Sequence, residues 1–168
     1  MSIHIENKPW FSYLDEDIQE SLKLSVQLAE VSAEWSRRYH DYSFLVFPAA
    51  KAYEGFLKNL FLDMGFISKE QYKGKRFRIG KALNPHLDKK YQDDGWVYDE
   101  ISKYCGGPDL ADTLWKTWKE SRNVLFHWFP DEKNVVTHNE AVERLLAIIG
   151  AMDEVYTACE VDLTNVKK

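Results

Sequence analysis

Arg122-Asn123-Val124-Leu125-Phe126-His127 separates an arginine from a histidine by one polar and three apolar residues. Arginine is a permanent cation whose planar fork of donors fits phosphate oxygens. Histidine is the side chain whose ordinary pKa lets it take or give a proton near neutral pH. Together the two can bind a phosphate and move a proton at an adjoining hydroxyl, which is what phosphodiester chemistry needs. The same spacing also suits a helix-end arginine that caps carbonyls and a histidine packed beside tryptophan. With six arginines and five histidines in 168 residues, spacing by itself does not separate the two.

The elements that must position this pair are helical. Leu14, Ile18, Leu22, Val26, Ala29 and Ala33 recur at steps of three and four, which predicts a first helix running from near Asp15 or Asp17 to about Tyr39. A second helix is expected between Ser43 and Met64, with Ala50, Tyr53, Leu57, Phe61 and Met64 on one stripe, Pro48 in its first turns and Gly65 as its stop. Short helices are expected at 75–83 and 96–104, the first ended by Asn84-Pro85 and the second by Gly106-Gly107-Pro108. Asp109 reads as the N-cap of a third main helix carrying Leu110, Leu114, Trp118, Ser121 and Leu125, broken at Phe129-Pro130-Asp131. The last begins near Thr137 or His138, where Thr137 and Glu140 have capping-box spacing, and carries Ala141, Leu145, Ile148, Met152, Val155 and Cys159. No repeat, low-complexity tract or extended strand pattern is present. The fold expected is all-α: a single domain over 1–168, built as a four-helix up-and-down bundle, with an N-terminal arm (1–13) and an irregular, partly basic insertion (69–108) between the second and third main helices.

That periodicity makes two charges conspicuous. Glu54 lies four residues after Ala50 and three before Leu57, on or beside the apolar stripe of the second helix. Arg122 lies four after Trp118 and eight after Leu114, on the core side of the third. An inward charge left unpaired costs several kcal/mol or more. The two are therefore expected to meet, either as a buried ion pair that sets helix register or as a pair in which Glu54 aims Arg122 at a phosphate. His127 falls where the helix weakens, close to Trp115, Trp118 and Trp128. Of these, Trp128 is best placed to be exposed and to stack on a base, whereas Trp115 and Trp118 sit at core spacing.

Composition bounds the rest. Apolar residues make up 45% of the chain and aromatics 14%, enough for a packed core. A net charge of −5 argues against a protein that coats nucleic acid broadly. Residues 69–90, however, hold eight basic residues against two acidic ones, a local surplus of six that leaves −11 for the remainder. Within this island Lys73, Lys75, Arg76 and Arg78 can steer a polyanion or simply form a solvated face. No apolar run reaches membrane-spanning length and no signal-peptide pattern opens the chain. Cys105 and Cys159 are too few and too far apart for a disulfide framework and read as small buried hydrophobes, so a reducing cytoplasm is the default expectation. The histidines show no metal-ligand spacing with each other or with the cysteines, and neither a Walker loop nor a nucleophile elbow occurs. No metal and no cofactor are expected.

An all-helical chain with Arg-x4-6-His near the end of its third main helix, and a polar residue straight after the arginine, resembles the HEPN superfamily. More narrowly, Tyr53-Glu54-Gly55-Phe56-Leu57-Lys58, followed by Arg122-Asn123 and His127, resembles the HEPN domain of RNase LS-type toxins, over about residues 15–160. The resemblance implies a metal-independent endoribonuclease with Glu54, Arg122 and His127 as its catalytic triad, and Asn123 and Lys58 in support. It further implies a homodimer that brings two Arg-His motifs into one cleft, a possible antitoxin partner and a place in toxin–antitoxin or phage-defence systems. Those toxins carry further N-terminal domains where this chain has a short arm. Cleavage would proceed by attack of the ribose 2′-hydroxyl, which makes RNA the substrate. Lys73, Lys75, Arg76, Arg78 and Trp128 would bind the RNA. The alternative is a non-catalytic HEPN module that binds a partner protein or a nucleotide.

Overall fold

A computed structural model describes residues 3–35, 38–127, 130 and 134–158, and among these the regular structure is entirely helical. The N-terminal arm is not loose. Ile5 and Trp10 are buried, Trp10 Nε1 donates to Asp153 Oδ1 at 2.7 Å, and Lys8 Nζ reaches Asp153 Oδ2 at 2.7 Å. A 3₁₀ turn, Phe11–Tyr13, leads into helix α1, Glu16–Ser32, which buries Ile18, Leu22, Val26 and Ala29 on one face as the periodicity predicts.

Helix α1 stops about two turns earlier than its pattern suggests. The amides of Glu34 and Trp35 bond to carbonyls three residues back, which tightens the end of the helix, and Ser32 Oγ lies 3.0 Å from His138 Nε2. Trp35, Tyr39, Tyr42 and Phe44 then pack on one another with ring centroids 5.6–6.1 Å apart. Aromatic packing thus takes over from the helix in a stretch whose composition alone reads as helical.

Helix α2, Phe47–Asp63, follows a 3₁₀ turn at Ser43–Leu45 and carries Pro48 in its first turn, where a missing N–H costs nothing. Buried Ser25 of α1 accepts from the amide of Ala49 at 2.7 Å, so one of the orphan donors of this helix start is satisfied from the neighbouring helix. Gly55 lets α1 and α2 approach closely: a Cβ there would lie 2.7 Å from Ile18 Cδ1. Gly65, at φ 73°, ends the helix in the left-handed conformation that glycine tolerates.

The insertion is more ordered than its composition suggests. It holds three short helices, α3 (Lys69–Lys73), α4 (Ile79–Ala82) and α5 (Tyr98–Tyr104). Ser68 and Gln71 form a reciprocal capping box on α3. The apolar residues Ile79, Leu83, Val97 and Ile101 are buried in the common core, and the Val97 amide bonds to the Ala82 carbonyl at 2.8 Å. The helix expected over 75–83 shrinks to α4 alone. Asn84 ends it by turning its side chain onto the His86 amide, at 2.9 Å.

Helix α6, Asp109–Trp118, begins one residue earlier than the cap reading implies: Pro108 holds the cap position and Asp109 is already helical. Helix α7, His138–Ala158, starts with the capping box expected of Thr137 and Glu140. Hydrogen bonds from Thr137 hold the Glu140 carboxyl below its usual range. Helices α1, α2, α6 and α7 enclose the core, and the Tyr53 hydroxyl ties α2 to α6 through the Leu114 carbonyl at 3.3 Å.

Cys105 is half-buried and disulfide-bonded, which corrects its reading as a small buried hydrophobe; Cys159 lies outside the described residues. Among the described residues no helix is long and apolar enough to cross a membrane.

Gly80 of α4 lies flat against Trp118: a Cβ there would come within 2.2 Å of the indole. Gly80→Ala should therefore cost about 1–3 kcal/mol of unfolding free energy through overpacking. Gly150→Ala, on the exposed side of α7 with open space around it, should instead stabilise by about 0.5–1 kcal/mol. Urea unfolding midpoints of the two variants check both signs.

Candidate functional site

The Arg-His motif sits where α6 changes its winding. Residues Lys119–Asn123 form a π-turn, and the Val124 amide bonds to the Lys119 carbonyl five residues back, at 3.1 Å. In α-helical register both Ser121 and Arg122 would continue the stripe of Leu114 and Trp118 into the core. The wider turn separates them. Ser121 takes the interior position and is fully buried, while Arg122 swings to the edge with its side chain 35% exposed. The expectation of an inward-facing arginine is corrected accordingly. Trp118 Nε1 and Ser121 Oγ, both in this stretch, are buried with no hydrogen-bond partner, the local cost of the altered winding.

Arg122 and Glu54 do meet. Arg122 Nε lies 3.7 Å from Glu54 Oε2, and Lys58 Nζ, one turn along α2, lies 3.3 Å from Glu54 Oε1. Glu54 is 33% exposed, so the pair belongs to a groove edge and not to the buried interior. The guanidinium is steered further by aromatic faces, 5.1 Å from the Phe126 ring centroid and 5.8 Å from that of Trp118. Its two terminal amino groups make no hydrogen bond among the described residues. A planar cation held through one edge, with its other donors uncommitted, is arranged to take a bidentate anion.

The groove has a volume of about 480 Å³ and runs between α1, α2 and the motif. Its charged side chains are Lys51, Glu54 and Arg122. Phe47 and Phe126 form its apolar wall, with centroids 4.4 Å apart, both partly exposed, and Leu24 and Ser21 of α1 close the far side. Lys51, Phe47, Leu24 and Ser21 were not singled out in the sequence. Lys51 was detectable, since it lies one helical turn before Glu54 on α2. The α1 residues were not, because their approach depends on how the two helices cross.

His127 follows a turn at 124–126 and is exposed. It is adjacent to the groove in sequence but does not line it. Asn134 Nδ2 donates to the Val124 carbonyl at 3.3 Å and lies 3.5 Å from that of His127, bracing the turn on which the histidine sits. Asn123 is half-buried at the end of the π-turn. Trp115 and Trp118 stack on each other at 5.7 Å, and Trp118 is a core residue as its spacing indicates. Trp128, expected to stack on a base, lies outside the described residues, as does Phe129.

The basic island is a separate feature. Lys73, Lys75, Arg76 and Arg78 are all exposed, and the last three line a cleft of about 560 Å³ that also contains Asp93 and Asp94. Lys81 is paired with Asp93, whose carboxyl this bond holds below its usual range. Arg78 turns back onto the carbonyls of Lys75 and Phe77. Lys73 lies outside the cleft lining. No group of three His, Cys, Asp or Glu side chains among the described residues is placed to hold a metal ion.

Comparison of the chain with protein-family models, with curated proteins and with solved structures finds no match in any of the three.

Because both partners of the Glu54–Arg122 contact are about one-third exposed, solvent screens it. Glu54→Gln should change the unfolding free energy by less than about 1 kcal/mol. A loss of several kcal/mol in a denaturant titration would mean that the pair is buried in solution.

Proposed function

We propose that the chain is an endoribonuclease of HEPN type that cleaves RNA by 2′-hydroxyl transesterification without a metal ion. The observation that carries this reading is the state of Arg122. Glu54 holds it through Nε, and its terminal donors are uncommitted at a groove of about 480 Å³, five residues before an exposed histidine. Helices α1, α2, α6 and α7 would then be the four members of the HEPN up-and-down bundle.

In the proposed reaction the 2′-oxygen attacks the adjacent phosphorus and the bond from phosphorus to the 5′-oxygen breaks. One proton leaves the 2′-hydroxyl and one is delivered to the departing 5′-oxygen. His127 acts as general base or acid in these transfers, and Arg122 neutralises charge that builds on the non-bridging phosphate oxygens. Glu54 keeps the guanidinium in register, Lys58 balances Glu54, and Asn123 supports the end of the turn. The products carry a 2′,3′-cyclic phosphate and a 5′-hydroxyl.

A single Arg-His pair provides one imidazole for two proton transfers, which favours a homodimer that sets two motifs in one cleft. The partly exposed Leu24, Phe47 and Phe126 at the groove would give such an interface apolar anchors. The biological setting that goes with this reading is a toxin of a toxin–antitoxin or phage-defence system, restrained by an antitoxin protein.

Arg122→Ala and His127→Ala should each lower RNA cleavage in EDTA by at least about a hundredfold, with unchanged circular dichroism. Folded variants that cut at the wild-type rate would leave a binding module in place of an enzyme. Changing Lys73, Lys75, Arg76 and Arg78 together to Ser should weaken RNA binding and flatten its dependence on salt, read by anisotropy across a salt series. An unaltered slope would assign the island to a solvated face.

A further inference from the structure

A second groove lies away from the Arg-His motif, between the C-terminal end of α1 and the first turns of α7, with a volume of about 690 Å³. Its floor is largely apolar, with His138 and Asn139 also in the lining. Ala29 of α1 and Ala33, the residue that caps its end, face Val142 and Leu146, one turn apart on α7, and Ile3 of the arm closes one end. Two ridges of side chains flanking a trough of small residues are what a third helix packs into. The rim is acidic: Glu30 stands on α1 and Glu34 in the turn just past its end, and Glu143 stands on the α7 edge.

The charge of this rim is unbalanced. Glu30 accepts the Ile3 amide at 3.0 Å, but the carboxylates of Glu34 and Glu143 have no hydrogen-bond or ion-pair partner among the described residues. Among the described residues, no lysine or arginine lines the groove. Beside Glu143, Arg144 is committed to the Glu120 carbonyl at 3.1 Å. Such a surface repels a polyanion, so it is no continuation of an RNA path. An apolar trough with an unpaired carboxylate on each side, Glu34 and Glu143, is complementary to an amphipathic helix that bears an apolar stripe flanked by lysines or arginines.

We propose that the α1–α7 groove is a docking site for a basic amphipathic helix of a partner protein. The apolar stripe of that helix would lie over Ala29, Ala33, Val142 and Leu146, and its basic residues would pair with Glu34 and Glu143. The site is independent of whether the chain cuts RNA, because it shares no residue with the Arg122 groove.

The test uses a labelled amphipathic Leu/Lys helix titrated with the full chain by fluorescence anisotropy. It is run beside a scrambled peptide of the same composition and a Leu/Glu counterpart. The amphipathic basic peptide should bind at least about tenfold more tightly than either control. Ala33→Trp fills the trough without changing charge, and Glu34→Lys with Glu143→Lys reverses the rim. Each should weaken that binding at least about tenfold while circular dichroism is unchanged. Equal binding of the scrambled peptide, or full binding to the Ala33→Trp protein, would overturn the proposal. It would equally be overturned if Ala33→Trp converted a sedimenting dimer to monomer, which would make the occupant a second copy of the chain.

Discussion

The winding of one turn decides where the charge of the motif goes. In a continuous α-helix Arg122 would follow Trp118 into the core, where a guanidinium demands complete pairing. The π-turn at Lys119–Asn123 gives that interior position to Ser121 and moves Arg122 to the groove edge. There Glu54 holds one side of the guanidinium, and the Phe126 and Trp118 rings restrict the rest. The strain is local: a buried serine hydroxyl and an indole N–H are left without partners in the same turn. Unsatisfied buried groups are thereby concentrated beside the charged motif.

Everything near that turn serves to hold it. Trp118 is packed against the bare backbone of Gly80, so the insertion contributes directly to the wall behind Arg122. Asn134 braces the carbonyl end of the motif, and the following strand of chain is tied to the aromatic corner by the Tyr42 amide on the Val136 carbonyl. On the other side, Gly55 and Ile18 bring α1 close enough to α2 for Ser21 and Leu24 to complete the groove. The groove is therefore a product of helix crossing. Its residues come from three stretches more than twenty residues apart in the chain.

Charge is sorted over the surface with similar economy. The basic residues gather on the insertion, and carboxylates without partners stand on the α1–α7 groove, each separate in its lining residues from the groove at the Arg-His motif. A chain of net charge −5 can in this way present a cationic surface to one class of partner and an anionic surface to another. The island is tempered by its own acids, since Asp93 and Asp94 line the same cleft and Lys81 is already paired.

Much of the fold is legible in residue spacing, because apolar periodicity reports which helix face is buried. The stripes of α1, α2 and α7 fall where three- and four-residue steps place them, and Pro48, Gly65 and the Thr137–Glu140 box mark ends by local stereochemistry. The meeting of Glu54 with Arg122 was also accessible from the two stripes, although the pair lies at a groove edge and not in the interior that the stripes implied. What spacing cannot carry is anything set by contacts distant in sequence. The early end of α1 depends on aromatic packing and on His138. The order within the insertion depends on burial of Ile79, Leu83, Val97 and Ile101 against helices elsewhere in the chain. The π-turn is invisible to a pattern that assumes one constant winding, and with it the half-exposed position of Arg122. Residue order sets the side-chain types and most of the helices that bear them. Which of those side chains share a groove follows from packing, because it depends on crossing geometry and winding, and neither has a one-dimensional signal.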